Sequence, residues 1–359
     1  MKLDTLSLEG FRNLLDAEIH WHPDTNVLVG ENAAGKTALL EAIHFLGRNR
    51  SFRTARREAL IRQGATGFRL VASLSDGDRH HRLGMEGTRQ GVRVRFDGQD
   101  LRRRSDLVDL LPLQLLNQDA HLLIEAGPEY RRRFLDWGVF HVEPSYRDAL
   151  ARYRRLLQQR NAALRQGLAE RAVRAWDAEL VRVSEVMDHR REAYVRALQD
   201  ALEGLLEPLV ALRAVQLHYR RGWPAEQRLD ELLGQQLSAD RARGFTFFGP
   251  HRADLGIRVQ GRPARERLSR GQQKLLVCGL ILAQLCLYHA GTGRPALLLV
   301  DDLASELDAW HRDRLFRLLL ELPAQRFVTA IEAGQLPELA GAGAWFHVKQ
   351  GQVRNVVYS

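Results

Sequence analysis

The sequence predicts an α/β head assembled from both ends of the chain, with a mainly helical domain inserted between them. Three observations predict it. Residues 30–37 read Gly30-Glu31-Asn32-Ala33-Ala34-Gly35-Lys36-Thr37, a complete G-x-x-x-x-G-K-[ST] loop between an apolar strand and a helix. Far downstream, Leu297-Leu298-Leu299-Val300 is a continuous apolar run that ends in Asp301-Asp302. Between the two, hydrophobic spacing becomes helical. A phosphate loop and its carboxylate strand work only within one sheet, so residues 1–127 and 240–359 are expected to form the head. Residues 128–239 are then the insertion, a short antiparallel arm.

The elements follow in order. Lys2 to Leu8 alternates as a strand, Gly10-Phe11-Arg12-Asn13 turns, and Glu18 to Trp21 leads through Pro23 to the strand Asn26-Val27-Leu28-Val29. Ala38-Leu39-Leu40-Glu41-Ala42-Ile43 starts a helix with strong formers. Residues 66–97 give short alternating runs such as Phe68-Arg69-Leu70-Val71-Ala72 and Val92-Arg93-Val94-Arg95-Phe96, with Asp76-Gly77 and Asp97-Gly98 as hairpin turns. From 128 onward Tyr146, Leu150, Tyr153, Leu157 and Leu164 recur at helical spacing. So do Val173, Trp176, Leu180, Val183, Met187, Tyr194 and Leu198, after a break near Gly167. Two such helices are either ordinary amphipathic helices on a core or a compact coiled-coil arm. Gly222-Trp223-Pro224 and Gly244 mark a return towards strands, and 275–288 is a long Leu-, Ala- and Val-rich helix.

Composition narrows the class. Hydrophobic residues make up 45% and charged residues 27%, as in ordinary soluble domains. No stretch approaches the roughly 20 apolar residues of a membrane span. The N-terminus alternates and carries Asp4, which reads as a strand rather than a signal peptide. Cys278 and Cys286 lie in one apolar helical stretch and read as core thiols rather than a disulfide or metal site, which points to a cytoplasmic address. The net charge of +9 and pI near 10.0 favour polyanionic partners. Arginine dominates the basic residues, but arginine in place of lysine leaves that charge unchanged.

The chemistry of the loop is that of a nucleoside triphosphate site. Glycines let backbone N–H groups turn onto phosphates, the helix N-terminus adds partial positive charge, and Lys36 reaches the outer phosphates. Thr37 and Asp301 are the candidate Mg²⁺ contacts. Asp302 stands where a carboxylate would orient the attacking water; being one methylene shorter than glutamate, it predicts slow hydrolysis. A helix N-cap is the competing reading of this acidic pair. Leu268-Ser269-Arg270-Gly271-Gln272 precedes the long helix, with Ser269 and Gln272 in capping-box spacing and Gly271 leaving the N-terminus approachable.

Taken together these segments carry a resemblance. The phosphate loop, Leu268 to Gln272 and Asp301 to Asp308 match an ABC/SMC-type P-loop ATPase head. With Glu9 to Asn13, Phe248-Gly249-Pro250-His251-Arg252-Ala253-Asp254-Leu255 and Gly127 to Gly138, the chain resembles the RecF family of bacterial gap-repair ATPases, from first strand to last. The resemblance implies an ATP-dependent head-to-head homodimer that binds DNA, at single-strand gaps and on duplex, and releases it after slow, DNA-dependent ATP hydrolysis. It implies action with RecO and RecR to load RecA, in support of the SOS response. It places Gly30, Glu31, Asn32, Ala33, Ala34, Gly35, Lys36, Thr37, Arg12 and Asn13 at ATP, and Thr37 and Asp301 at Mg²⁺. Asp302 falls to the water, Ser269 and Gly271 to the partner's γ-phosphate, and Asp308 to the interface loop.

Two departures from the family pattern stay open. Gln118 is a candidate third Mg²⁺ contact, with Gln114 as rival and a plain surface loop as the alternative. Thr329 is the one polar residue where many transporters carry a switch histidine. Arginine clusters at Arg48, Arg50, Arg53, Arg56 and Arg57, at 102–104 and at 131–133 are candidate DNA contacts or solvated faces. A non-hydrolysing ATP-gated scaffold and a transporter ATPase subunit are the competing functions. No membrane partner is expected.

Overall fold

The structure is a computed structural model, and it describes residues 1–356 apart from Arg102, Val210, Ala211 and Arg213. The chain divides into two compact units, residues 1–120 with 288–359, and residues 121–287.

The first unit holds two six-stranded sheets. One runs in the order Gln352–Val356, Ala344–Lys349, Thr25–Val29, Ala324–Ala330, Ala296–Val300, Leu113–Leu116. All neighbours in it are parallel except the terminal hairpin of Ala344–Lys349 with Gln352–Val356. Thr25–Val29, Ala296–Val300 and Ala324–Ala330 are buried along their whole lengths, as strands covered on both faces must be. Both chain ends therefore do meet in one sheet, and Ala324–Ala330 lies between the phosphate-loop strand and the Asp-Asp strand.

The second sheet is antiparallel, in the order Ala17–His20, Lys2–Glu9, Gly67–Asp76, Arg79–Thr88, Val92–Phe96, Gln99–Asp100. Gly67–Asp76 alternates buried and more exposed residues, so one face meets the core. Asp97 and Gly98 both have positive φ, 47° and 80°, between the paired residues Phe96 and Gln99. That is the two-residue hairpin their sequence predicts. At the other hairpin Asp76 pairs Arg79, so the loop is Gly77-Asp78, one residue later than expected. The helix Lys36–Arg48 packs between the sheets: Leu39, Ile43 and Leu46 share one core with Leu70, Leu83, Leu299 and Phe327. Phe68 meets Phe11 and Phe45 edge-on at 5.2 and 5.4 Å.

The second unit contains the helices Pro128–Val142, Pro144–Arg165 and Asp177–Leu209, and a three-stranded sheet of Arg262–Pro263, Asp254–Val259 and Val215–Arg220. Tyr146, Leu150, Tyr153 and Leu164 are buried as their spacing requires, with Leu156 in place of the neighbouring Leu157. The turn region near Gly167 carries an extra short helix, Glu170–Arg174. This unit runs to Leu287, well past the expected boundary at 239, and it begins at His121 rather than 128. The reason is pairing: Asp254–Val259 bonds to Val215–Arg220, which follows directly on the long helix.

The helix Arg270–Thr292 corrects one expectation. Its 23 residues, with a mean hydropathy of 1.7 over the most apolar 18, make it long and apolar enough to cross a bilayer by length and composition, although 67% of that window is buried inside the protein. Cys278 on it is buried and Cys286 half-buried, and neither is in a disulfide.

Candidate nucleotide-binding site

The loop at 30–37 is shaped by close approach. A Cβ at Gly30 would lie 2.1 Å from the Val348 carbonyl oxygen, and Gly35 holds a φ of +119°. Ala33 also takes a positive φ of 64°, the one strained side-chain-bearing residue in the loop. The backbone then enters Lys36–Arg48 with no side-chain cap and no acid in the first turn, leaving the helix N-terminus open to an anion. Lys36 is buried, and its ammonium donates to the carbonyl oxygens of Gly30 at 2.7 Å and Glu31 at 3.1 Å.

The far end of the chain closes the site. Thr37 Oγ1 donates to Asp301 Oδ1 at 3.0 Å across 264 residues of sequence. Asp301 is buried, and its carboxyl is raised above the usual range by burial first and by neighbouring Asp302 second; the Thr37 and Thr329 hydroxyls and the Arg53 charge oppose the rise. Asp302 sits in the left-handed region at φ 50°, and its N–H donates to Thr329 Oγ1 at 2.7 Å. The same Thr329 hydroxyl lies 3.1 Å from Asp301 Oδ1 and 3.2 Å from Asp302 Oδ1. A hydroxyl carries one proton, so it donates to one carboxylate at a time. Thr329 is thus the residue that ties the two acids together, a role its sequence position did not disclose.

Other expected residues fall as follows. Asn13 Nδ2 donates to the Ala33 carbonyl at 3.2 Å, which puts it on the loop. Arg12 is beside the loop helix, but its guanidinium forms a two-pronged pair with Glu41, at 2.8 and 2.6 Å. Glu41 is fully buried and also accepts from Ser51, with Arg53 3.8 Å away. Sequence reading passed over Glu41 as one polar residue in a helix start. Its signal was a lone acid amid Leu39, Leu40, Ala42 and Ile43. Between the two candidate glutamines, Gln118 follows the strand Leu113–Leu116, whose last carbonyl accepts the Asp301 N–H at 2.8 Å. Gln114 lies inside that strand, in register with Leu298 and away from the acidic end.

Ser269 and Gly271 lie in the second unit, both exposed. Ser269 N–H donates to Gln272 Oε1 at 3.1 Å and Gln272 N–H to Ser269 Oγ at 3.3 Å, the reciprocal capping box its spacing predicts. Asp308 caps the helix Ala309–Glu321, accepting from the His311 N–H at 3.0 Å and meeting its ring at 2.6 Å. A backbone and a side-chain hydrogen bond from His311 hold its carboxyl below the usual range.

The arginine clusters divide into residues bound within the fold and residues left on the surface. Arg48 donates to the Leu113 carbonyl at 2.7 Å. Arg131 pairs with Asp254 at 2.7 and 3.2 Å, and Arg132 donates to the Ala253 carbonyl at 2.8 Å. Those three hold the fold together; Arg133 is exposed and paired with Glu129. Arg50, Arg53 and Arg56 are exposed, while Arg102 lies outside the described residues.

The oxygen donors at the loop suit a hard divalent ion. Among the described residues no group of three or more His, Cys, Asp or Glu forms a metal cage. One carboxylate and one hydroxyl beside a phosphate loop match the way Mg²⁺ is held, with phosphates and water completing the shell. The open helix N-terminus, Lys36, Thr37 and Asp301 together suit the phosphates of a nucleoside triphosphate and a divalent ion.

Comparisons with known proteins agree with this arrangement. Residues 2–353 match the RecF/RecN/SMC N terminal domain family. The chain is 44% identical over 359 residues to the DNA replication and repair protein RecF of Stutzerimonas stutzeri, covering 98% of this chain and 97% of that one. It is 42% identical to RecF of Thioalkalivibrio sulfidiphilus over 99% of both. Among solved structures, the recombination mediator protein RecF-ATP in the RecFOR pathway superposes with a TM-score of 0.88 at 24% identity, over 99% of this chain and 98% of that one. An Smc head bound to the C-winged helix domain of ScpA gives 0.64 at 15% identity, over 100% and 98%.

Proposed function

Because the chain belongs to the RecF family of DNA replication and repair proteins, within the RecF/RecN/SMC group, we propose that it is an ATP-driven DNA clamp of recombinational repair and replication restart. The observation that carries the reading is the 3.0 Å bond from Thr37 to Asp301, which welds the two chain ends into one phosphate site. ATP binds with its phosphates on the loop N–H groups. Lys36 exchanges its carbonyl partners at Gly30 and Glu31 for phosphate oxygens.

Thr37 and Asp301 hold Mg²⁺, with Gln118 placed at the same end of the sheet. The ion would supply charge neutralisation at the outer phosphates. Asp302, positioned by Thr329, orients the attacking water. Arg12 acts by anchoring the loop helix through Glu41, and Asn13 by bracing Ala33. Ser269 and Gly271 are exposed in this chain, and they complete the γ-phosphate site of a second copy. A weak, DNA-dependent hydrolysis then opens the homodimer and frees the DNA.

The net charge of +9 supports non-specific phosphate contact with single-stranded gaps and duplex. In the cytoplasm such a clamp would work with RecR and RecO, and through them help load RecA and sustain the SOS response.

Sedimentation of the full chain with and without ATP–Mg²⁺ and a gapped duplex, over a salt series, tests this. An ATP-dependent dimer that binds the gapped duplex and weakens steeply with salt is expected. A protein that stays monomeric under every condition sinks the role of Ser269. If Asp302→Asn leaves turnover and DNA release unchanged while Lys36→Ala abolishes ATP binding, the water-orienting role of Asp302 is wrong.

A further inference from the structure

The Phe248 to Leu255 motif takes no part in the nucleotide site. It lies in the second unit, in a loop held with unusual rigidity. Thr246 N–H and Oγ1 both donate to Asn161 Oδ1 at 2.8 Å, and buried Arg160 donates to Thr246 Oγ1 at 2.7 Å. His251 bridges the Thr246 carbonyl at 3.0 Å and the buried Tyr153 hydroxyl at 2.5 Å. Arg191 donates to the Pro250 carbonyl at 2.8 Å, and Phe247 N–H to Asp240 at 3.1 Å. Gly249 holds φ +140°, and a Cβ there would lie 2.7 Å from the Tyr153 hydroxyl. Five buried or half-buried polar side chains, Tyr153, Arg160, Asn161, Arg191 and Asp240, thus fix the loop from behind.

The outward groups form a set. Phe247 is 38% exposed, and the guanidinium carbons of Arg243 and Arg252 lie 4.9 and 5.4 Å from its ring centre. Arg252 also lies 5.5 Å from the ring of Phe245. Both arginines are exposed, and among the described residues neither forms an ion pair with a carboxylate. A lone exposed phenylalanine is unremarkable in a soluble protein. A part-exposed ring carrying two guanidiniums that lack carboxylate partners, on a loop pinned from behind, fits a ligand that adds a flat π-face to this arginine–phenylalanine stack and negative charge beside it.

We propose that Phe247, between Arg243 and Arg252, is a stacking site for an unpaired base of single-stranded DNA. A duplex hides its base faces, so the ring selects the single-stranded part of a gap, while the two guanidiniums take the adjoining phosphates without reading base order. The inference rests on the DNA-binding reading above and deepens it.

Fluorescence anisotropy of the full chain with ATP–Mg²⁺, using labelled oligo(dT) and a blunt duplex of equal length, tests it. Phe247→Ala is expected to weaken oligo(dT) binding by about fivefold or more and duplex binding by less than about twofold, with Phe247→Tyr close to the parent. Arg252→Gln should lower the salt slope by about one. ATP-dependent dimerisation of each variant, unchanged, shows that the head still folds. Equal weakening on both DNAs, or none on oligo(dT), overturns the site while leaving the clamp intact. Polyglutamate displacing oligo(dT) from the parent but not from Phe247→Ala also overturns it, in favour of an acidic protein partner. Failure of the parent protein to bind any DNA strikes the clamp itself.

Discussion

The acidic end of the first unit's parallel sheet and the helical core of the second unit handle buried charge in opposite ways. In the first, the acids at the end of the sheet have hydroxyls for company: Thr37 bonds Asp301, Thr329 lies within reach of both Asp301 and Asp302, and among the described residues neither acid forms an ion pair with an arginine. In the second, Arg160 is wholly buried on Asp177, Asp240 and Thr246, at 2.7, 2.9 and 2.7 Å. Arg191 is likewise buried against Asp136 and Tyr146. Burial works against that guanidinium's charge, and the contacts with Asp136 and Tyr146 more than restore it. A site built for a ligand leaves charge uncompensated; a site built for the fold pairs it. The same residue types therefore mean different things depending on what the protein itself supplies as partner.

Substitutions can sharpen or break this contrast. The largest expected effect is Lys36→Ala, which removes the cation aimed at the phosphates. ATP affinity by equilibrium dialysis should fall about a hundredfold or more, roughly 2.7 kcal/mol or above, and a value near the parent's would remove Lys36 from the phosphate site.

Arg160→Ala comes next and should do the reverse. Leaving Asp177 and Asp240 without their partner costs about 3–5 kcal/mol of stability in urea melts. ATP affinity of the folded fraction should stay within about twofold of the parent, about 0.4 kcal/mol. A large loss of ATP affinity would show that the two networks are coupled.

Thr329→Val keeps the shape and deletes the hydroxyl. Turnover should fall about tenfold, near 1.4 kcal/mol, with little change in KM, and Thr329→Ser should recover most of it. If valine hydrolyses ATP at the parent rate, the Asp301–Asp302 turn does not depend on this residue.

The smallest effect is one of sign. The Asp301 carboxyl is raised by burial and by Asp302, so its contribution to the stability of the nucleotide-free protein is complete below the unfolded value near 4. It is lost as pH rises through the higher folded value. Asp301→Asn should remove that loss, giving a nucleotide-free protein more heat-stable than the parent at neutral pH yet unable to hydrolyse ATP–Mg²⁺. A variant less stable than the parent at neutral pH would contradict the direction of the shift.

What was legible in the sequence follows from the same contrast. The phosphate loop, the Asp-Asp strand and the capping box at Ser269 are local patterns, with every needed residue within a few positions, so they could be read directly. The strand Ala324–Ala330 set between the two functional strands was not readable, because parallel order is a matter of crossover and not of spacing. Thr329 stood out only as the one polar residue at the place of a switch histidine, and its tie to the acidic pair was hidden because its partners lie 27 and 28 residues away. The arginine triplet at 131–133 looked like a charged face, and only the fold supplies Asp254, 123 residues on, to claim Arg131. Glu41 was hidden in a good helix, its partner Arg12 29 residues back.

The turn that joins the last two strands also touches the phosphate loop. Gly351 donates its N–H to the Ala34 carbonyl at 2.8 Å, and its own carbonyl accepts from Leu15 at 2.9 Å. A Cβ at Gly351 would lie 2.1 Å from the Asn13 carbonyl oxygen, so the fit is backbone against backbone. During synthesis, then, the loop emerges well before residues 344–351 and must wait for them before its final support arrives. Until then the strand Thr25–Val29 has neither of its neighbours, Ala324–Ala330 or Ala344–Lys349. A ribosome stalled before residue 351 would hold a chain with an intact loop sequence and no finished cradle, which ties the capacity to bind nucleotide to the synthesis of this distant turn.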